Sequence, residues 1–325
     1  MRLDYSVAIR TLGTAGNKYQ ILLESLAKQS VSPKHIFVYL PFNSNVPIET
    51  IGTETIVRCD RGMVTQRSQQ YEEIDTEWIL FCDDDLYLPP DFMNTLFHGL
   101  DQYQADCIIP NVYPQEGISS MQKIMTYVYN GVEPRKDDGW ALKISRNGAY
   151  SYNNNPQKKI LPTMSGPFAC FLCRKSVFKS IHFEDERWLE QFSFASYDDQ
   201  LCFHKMNVMG YKVLLHYSTG LIHLDAKAGK RPDLSKKMYF KKKLQYVVWY
   251  RTIYSLAAPD DRWKCRVSFG WRNFIGIFAL IVDVIRFRRM AFILDYFKGL
   301  RDGKRYVQSA AYREIPAFDA YKKCG

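Results

Sequence analysis

The 325-residue chain contains no run of 18 or more uninterrupted apolar residues, so no membrane-spanning helix is expected. Its opening, "MRLDYSVAIRTLG", has neither the apolar stretch nor the small-residue cleavage site of a signal peptide. Cysteine is short of metal-binding spacings. Of eight cysteines only Cys170 and Cys173 form a C-x-x-C pair, and "FACFLCRKS" around them reads as a buried strand with no second pair. Reduced, buried cysteines fit a cytoplasmic protein. Zinc-finger spacing, an RNA-recognition signature and a helix-turn-helix pattern are all missing, which weighs against a non-enzymatic nucleic-acid-binding protein. The segment "IRTLGTAGNK" is too poor in glycine for a Walker-type phosphate loop, which weighs against a metal-dependent nucleotidyltransferase.

What is present belongs to a folded protein with room for a large core: 46% hydrophobic and 15% aromatic residues. The net charge of +10 is unevenly divided. From residue 226 onward there are 23 Lys and Arg against 8 Asp and Glu, a balance of +15, whereas residues 1–225 balance to −5. A mildly acidic body is thus followed by a strongly basic tail, the asymmetry of a chain with a polyanionic partner.

The body alternates strand and helix signals. "YSVAIRTL", "HIFVYLP", "TIVRC", "EWILFCD" and "DCIIP" are short apolar runs. Between them, "KYQILLESLAKQS" puts Tyr19, Leu22, Leu23 and Leu26 on one helical face. "VTQRSQQYEEI" and "DFMNTLFHGLDQY" are further helix candidates, the first opened by Gly62. Strands apolar along their whole length, separated by helices, predict a doubly wound, mostly parallel α/β sheet. Residues 128–165 are polar and read as a long excursion or lid. "GPFACFLCRKSVFKSI" then reads as strand and helix, "YDDQLCFHKMNVMG" as a helix ending at Gly210, and "YKVLLHYSTGLIHLD" as one or two strands.

The chemistry is concentrated in carboxylates. "WILFCDDDLYLPPDF" drives an apolar strand into Asp83, Asp84 and Asp85. Three adjacent carboxylates repel one another unless they form a solvated turn or hold something positive. Asp83 and Asp85 point to the same side of an extended chain and can hold a hard divalent cation, Mn2+ or Mg2+, with a phosphate group. Asp198 and Asp199 stand at a predicted helix N-terminus, where either one serves as a cap or as a general base.

The order of these features resembles the family 2 glycosyltransferases of GT-A fold, of the kind acting in bacterial surface polysaccharide synthesis. "DRGMVTQRSQQYEEIDTEWILFCDDDLYLPPDF" resembles their Gly…Arg helix followed by the strand and DxD motif, and "SGPFACFLCRKSVFKSIHFEDERW" their acceptor-side strand and helix. "DDQLCFHKMNVMGYKV" resembles their E-D-x-x-L-x-x-R-x-x-x-x-G-Y motif, with a histidine following at His223. The resemblance covers roughly residues 4–225 and rests on the ordered set of motifs. It implies an inverting transferase that moves a sugar from a nucleotide-diphosphate donor, UDP-sugar by default, to a hydroxyl of a glycan or lipid-linked acceptor. Asp199 becomes the catalytic base. Asp83 and Asp85 become the metal pair, and His223 is either a third metal or diphosphate ligand or a plain strand-end histidine. Asp83, Asp84, Arg10, Asp60 and Arg67 fall near the donor pocket, Arg67 being equally readable as a helix-surface charge. The chain departs from the pattern in three places. "VYLPFNSNVP" after the second strand has no acid to meet the nucleotide base, Asp198 replaces a glutamate, and Cys202 and Lys205 replace the motif's leucine and arginine. Lysine keeps the charge but not the planar fork of arginine.

Residues 1–225 are therefore read as the GT-A catalytic domain and 226–325 as a basic, aromatic-rich, mainly helical region. That region includes "SKKMYFKKKLQYVVWYRTIYSL" and the apolar stretch 274–285, which is too short to span a bilayer. Two settings are open for it: helices lying on an anionic membrane at the inner face, or helices packed on the body. Nucleic acid is not an expected partner.

Overall fold

Apolar runs become the buried centre of the sheet. The computed structural model describes residues 4–112, 139–153, 156–192, 196–224 and 234–321, together with Ile124 and Val128. The first four strands are β1 (Tyr5–Arg10), β2 (Ile36–Pro41), β3 (Glu54–Cys59) and β4 (Trp78–Asp83). They are followed by β5 (Leu86–Tyr87), β6 (Cys107–Pro110), β7 (Leu142–Ile144), β8 (Tyr150–Tyr152) and β9 (Ile160–Pro162). The last three are β10 (Cys170–Arg174), β11 (Val213–His216) and β12 (Ile222–His223). Eight of these strands form one sheet in the order β3-β2-β1-β4-β10-β6-β11-β9. Within it β3, β2, β1 and β4 are mutually parallel, β6 and β11 form a further parallel pair, and β10 and β9 run against their neighbours.

Two-residue alternation divides the core between the faces. Tyr5, Val7, Ile9, Leu80 and Cys82 meet helices α1 (Asn17–Ala27) and α3 (Phe92–Tyr103) on one side. Tyr19, Leu22, Leu23 and Leu26 are all buried there, as their spacing predicts. Ala8, Ile79 and Phe81 meet α4 (Lys175–Ser180), the 3-10 stretch Phe183–Gln191 and α5 (Asp198–Val208) on the other side. The C-x-x-C cysteines lie in β10, and they and the five other described cysteines are buried free thiols. Of the polar excursion, 129–138 and 154–155 lie outside the described residues; the rest includes the antiparallel hairpin β7–β8.

One expected helix is cut short. "VTQRSQQYEEI" yields only α2 (Met63–Arg67). The chain then turns at Tyr71, φ 52°, whose ring is buried against Tyr39, Phe81 and Phe178 at 5.0, 5.3 and 5.7 Å. Burying that ring outweighs the local preference for continued helix.

The tail shares the second of these cores. Helix α6 (Leu234–Trp249) and a π-helical turn, Tyr250–Tyr254, lead to α7 (Arg262–Phe287) and α8 (Ala291–Tyr306). Leu244, Val247 and Val248 of α6 belong to the same apolar cluster as Phe81 and Phe203. Beside them, Arg251 donates two hydrogen bonds to Glu186, at 2.9 and 2.8 Å, with both side chains essentially inaccessible. Lys205, also fully buried, lies 3.6 Å from Glu186 and donates to Asp185 at 3.2 Å. Helices α6 and α8 approach closely because α8 presents glycines. A Cβ on Gly299 would lie 2.5 Å from the Tyr239 carbonyl oxygen, and one on Gly303 2.8 Å from that of Lys243. Gly299→Ala is therefore expected to force the helices apart and to cost about 1–3 kcal/mol in urea denaturation. A change within experimental error would show that the contact yields freely.

Candidate active site

The carboxyl ends of parallel strands line one edge of a sheet, where ligands bind in folds of this kind. Arg10 and Asp83 end β1 and β4 and are direct register partners, so their side chains meet there as an ion pair. Arg67, at the end of α2, approaches the same carboxylate at 3.9 Å and pairs with Asp198. The Phe168 ring packs against both guanidinium groups, 5.4 Å from Arg10 and 4.4 Å from Arg67. Arg67 is thus no surface charge: its side chain is 11% exposed. The Nε atoms of Arg10 and Arg67 are buried without a hydrogen-bond partner among the described residues. Burial raises the Asp83 pKa, with Arg10 and His223 opposing the rise.

Asp84 accepts a hydrogen bond from the Thr11 hydroxyl. Burial pushes its pKa up to about 6 against that bond, and Asp83 and Asp85 add to the rise. A cleft of about 290 Å³ opens between the loops that follow β1 and β3 and this aspartate turn. Its lining includes Arg10, Thr11, Arg61, Gln66, Asp83 and Asp84. Gln66 ties the walls together by donating to the carbonyls of Thr11 and Tyr39 at 3.2 and 3.4 Å. Gly13, at φ 77°, lets the loop after β2 close on the loop after β1, since a Cβ there would lie 2.5 Å from the Asn45 carbonyl oxygen. Asp60 is exposed and does not line this cleft; its neighbour Arg61 does.

Asp85 is set apart from Asp83. The short antiparallel pair β5–β12 joins Leu86 to His223, and the Leu224 amide donates to the Asp85 carbonyl at 2.7 Å. The His223 imidazole Nε2 consequently lies 3.5 Å from the Asp85 carboxylate. Among the described residues no three His, Cys, Asp or Glu side chains converge on one point. A hard divalent cation nevertheless takes only one or two protein ligands when water and substrate phosphates complete its shell. The carboxylate of Asp85 fits that donor set, and the His223 imidazole beside it is a borderline donor that suits Mn2+ better than Mg2+, whereas the Asp83 carboxylate is engaged by Arg10.

The second acidic pair opens α5. Tyr197 precedes it in a left-handed conformation, φ 74°, and the helix starts at Asp198. Asp198 turns to Arg67, while Asp199 accepts from the Gln200 amide at 2.7 Å. Burial raises the Asp199 pKa to about 6, which that hydrogen bond only partly offsets. The Tyr150 hydroxyl is raised well above its ordinary value, first by burial and then by the neighbouring Asp199 carboxylate. Lys205, which stands at the motif's arginine, faces Glu186 and Asp185 and supports the fold.

The structure thus brings Arg10, Asp83, Arg67 and Asp198 into one charge cluster and Asp85 and His223 into another, with Asp60 outside both. Arg61, Gln66, Phe168 and Tyr150 were not foreseen. Arg61 and Gln66 each adjoin a residue that was. Tyr150 carries no local signal, because only the β7–β8 hairpin brings it beside Asp199.

Residues 55–181 match the model of a family described as "Glycosyl transferase family 2". A comparison with curated protein sequences finds no match. Among solved structures, S. aureus TarS 1–349 in complex with UDP-GlcNAc superposes with a TM-score of 0.52 at 12% identity, over 98% of this chain and 89% of that one. S. aureus TarS gives 0.47 at 13% identity over 83% of this chain and 43% of that one. GalNAc-T7 with UDP, GalNAc and Mn2+ gives 0.49 at 14% identity over 84% and 55%. The chain therefore spans about half the length of these last two.

Proposed function

We propose that this chain, whose residues 55–181 match the family 2 glycosyltransferase model, is a family 2 glycosyltransferase of GT-A fold that carries out an inverting, metal-assisted transfer of sugar from a nucleotide diphosphate to an acceptor hydroxyl. The observation that carries the proposal is the charge cluster at the strand ends. Arg10 and Arg67 bring two buried guanidinium groups beside a cleft, while Asp198 ties Arg67 to the helix that holds Asp199. A diphosphate in that cleft would meet positive charge from the largely buried Arg10 and the exposed Arg61. Asp199, with a pKa of about 6, is largely ionised near neutrality yet still basic enough to take a proton.

The acceptor oxygen attacks the anomeric carbon as Asp199 accepts its proton. The bond between that carbon and the diphosphate oxygen breaks, and its electron pair leaves with the diphosphate. Attack from the face opposite the leaving group inverts the anomeric configuration. Asp85 and His223 would hold a divalent cation, Mn2+ or Mg2+, which when bound supplies Lewis-acid charge to the departing group. Tyr150, beside Asp199, would border the acceptor, a glycan or a lipid-linked sugar. The similar fold of TarS 1–349, solved with UDP-GlcNAc, makes UDP-sugars the first donors to test.

Thermal shift across UDP-, GDP- and dTDP-sugars, with and without Mn2+, tests the reading. A ligand at about 100 times its Kd stabilises the native state by about 2.7 kcal/mol, a shift of several degrees. The expected result is a Mn2+-dependent shift with one nucleotide, lost in Asp85→Ala. No shift with any donor, in protein shown to be folded, would overturn the site.

A further inference from the structure

Helix α7 is long and apolar enough, by length and composition, to cross a membrane, although its apolar stretch at 274–285 is short and carries Asp283. Only 22% of its most apolar window is buried. The exposed part is ordered. Val267, Trp271, Phe274, Phe278, Ile281 and Ile285 follow one another at intervals of 4, 3, 4, 3 and 4 residues, and each is at least 45% exposed. Such spacing draws one continuous apolar stripe along a helix. The next helix, α8, exposes Leu294 and Phe297 as well. Single exposed apolar residues need no explanation, but a stripe of this length does.

The opposite side of α7 is occupied by protein. Cys265 and Phe269 pack with Trp249 of α6, and Leu280 and Val284 pack with Phe292 and Tyr296 of α8. Arg272 donates to the Asn147 carbonyl at 2.9 Å. A helix bound along one side cannot be ringed by lipid, so its free stripe suits the plane of an interface rather than a span. The charges choose the occupant. Over 262–306 the exposed charged residues are Lys and Arg, among them Arg262, Arg266, Arg286, Arg289, Lys298 and Arg301, while the three acids there, Asp283, Asp295 and Asp302, are half-buried. The intervals along the stripe would also suit a coiled-coil seam. Two copies meeting there, however, would bring like charges together, whereas an anionic bilayer answers both the stripe and its rim.

We propose that α7 and α8 dock this protein in the plane of an anionic membrane surface, with the stripe from Val267 to Ile285 in the acyl boundary and the flanking arginines and lysines at the headgroups. Helix α7, with Trp249 of α6 stacked on its Phe269 at 4.0 Å, also holds the β7–β8 hairpin. Besides the Arg272 bond, Trp249 donates to the Arg146 carbonyl at 2.9 Å, in the turn that leads to Tyr150. Docking would therefore fix the orientation of that hairpin relative to the bilayer. The proposal does not rest on the donor or the metal, and nucleotide-sugar thermal shifts test those separately.

The experiment is vesicle flotation of the full chain, using phosphatidylcholine with and without one third phosphatidylglycerol. The protein is expected to float with the anionic vesicles only and to be released by high salt. Phe278→Glu combined with Ile281→Glu is expected to weaken binding by at least ~tenfold, and each of Arg286→Gln and Arg289→Gln by roughly fivefold. Circular dichroism and melting of each variant establish that it is folded. In the wild type, Trp263 and Trp271 are 60% and 49% exposed, and their fluorescence is expected to shift to the blue on anionic vesicles alone, which reads docking without any substitution. Equal binding to both vesicle types, or none at low salt, would overturn the proposal. So would a concentration-dependent dimer in sedimentation that Phe278→Glu dissolves and vesicles do not.

Discussion

Asp199→Asn is expected to lower the rate of transfer by ~10²–10⁴-fold while leaving nucleotide-sugar binding intact. The substitution keeps the size of the side chain and its acceptor oxygen toward the Gln200 amide, so α5 should start as before. What it removes is the proposed proton acceptor. In the wild type the base must be deprotonated, and burial holds its pKa at about 6. Activity should therefore fall as the pH drops through about 6, and the residual activity of the variant should lack that limb. The same shift predicts a gain in stability. Between the ordinary value of 3.8 and about 6 the folded state binds a proton that the unfolded state does not. The folded pKa is thus the higher one, and the stability it contributes is present at low pH and lost as the pH rises through about 6. Asparagine suffers no such loss. The variant should be more stable than the wild type by about 1–3 kcal/mol at pH 8 and by nothing below about pH 3. A variant that is inactive but also destabilised at pH 8 would mean that Asp199 supports the fold instead.

Glu186→Gln is expected to cost about 3–5 kcal/mol of folding stability. Glu186 is fully buried and accepts from Arg251 Nε, Arg251 Nη2 and the Trp188 indole, with Lys205 close by. Removing its charge leaves a buried guanidinium with no carboxylate against it. Burial alone would raise the Glu186 pKa, but Arg251 first and Lys205 after it hold it below the ordinary value. A depressed folded pKa contributes stability above the unfolded value, lost as the pH falls through the folded one. The gap between wild type and variant should accordingly close at acid pH. The paired change of Glu186 and Arg251 to Met is expected to recover much of the loss, because removing both charges also removes their desolvation cost. Chemical denaturation of the two variants separates these outcomes. A loss below about 1 kcal/mol in Glu186→Gln would show that the tail is held by its apolar contacts alone.

Much of the molecule was written locally. Strand and helix signals, the burial of Leu22 and Leu26, the helix stop at Gly210 and the aspartates at a strand end all depend on periodicity and turn chemistry within a few residues. The same holds for the two acids at the start of α5. What only the tertiary structure decided is who faces whom. Neighbouring aspartates meet different partners because β1 brings Arg10 to Asp83 while the β5–β12 pair brings His223 to Asp85. Arg67 is pulled inward by Asp198 and Phe168, and Lys205 is turned from the cleft by Glu186. The helix after Gly62 stops early because the Tyr71 ring is worth more in the core than another turn of hydrogen bonds. A sequence pattern reports which face of an element is apolar, but not whether anything covers it. In α7 that question has opposite answers on the two sides, since α6 and α8 reach only one of them.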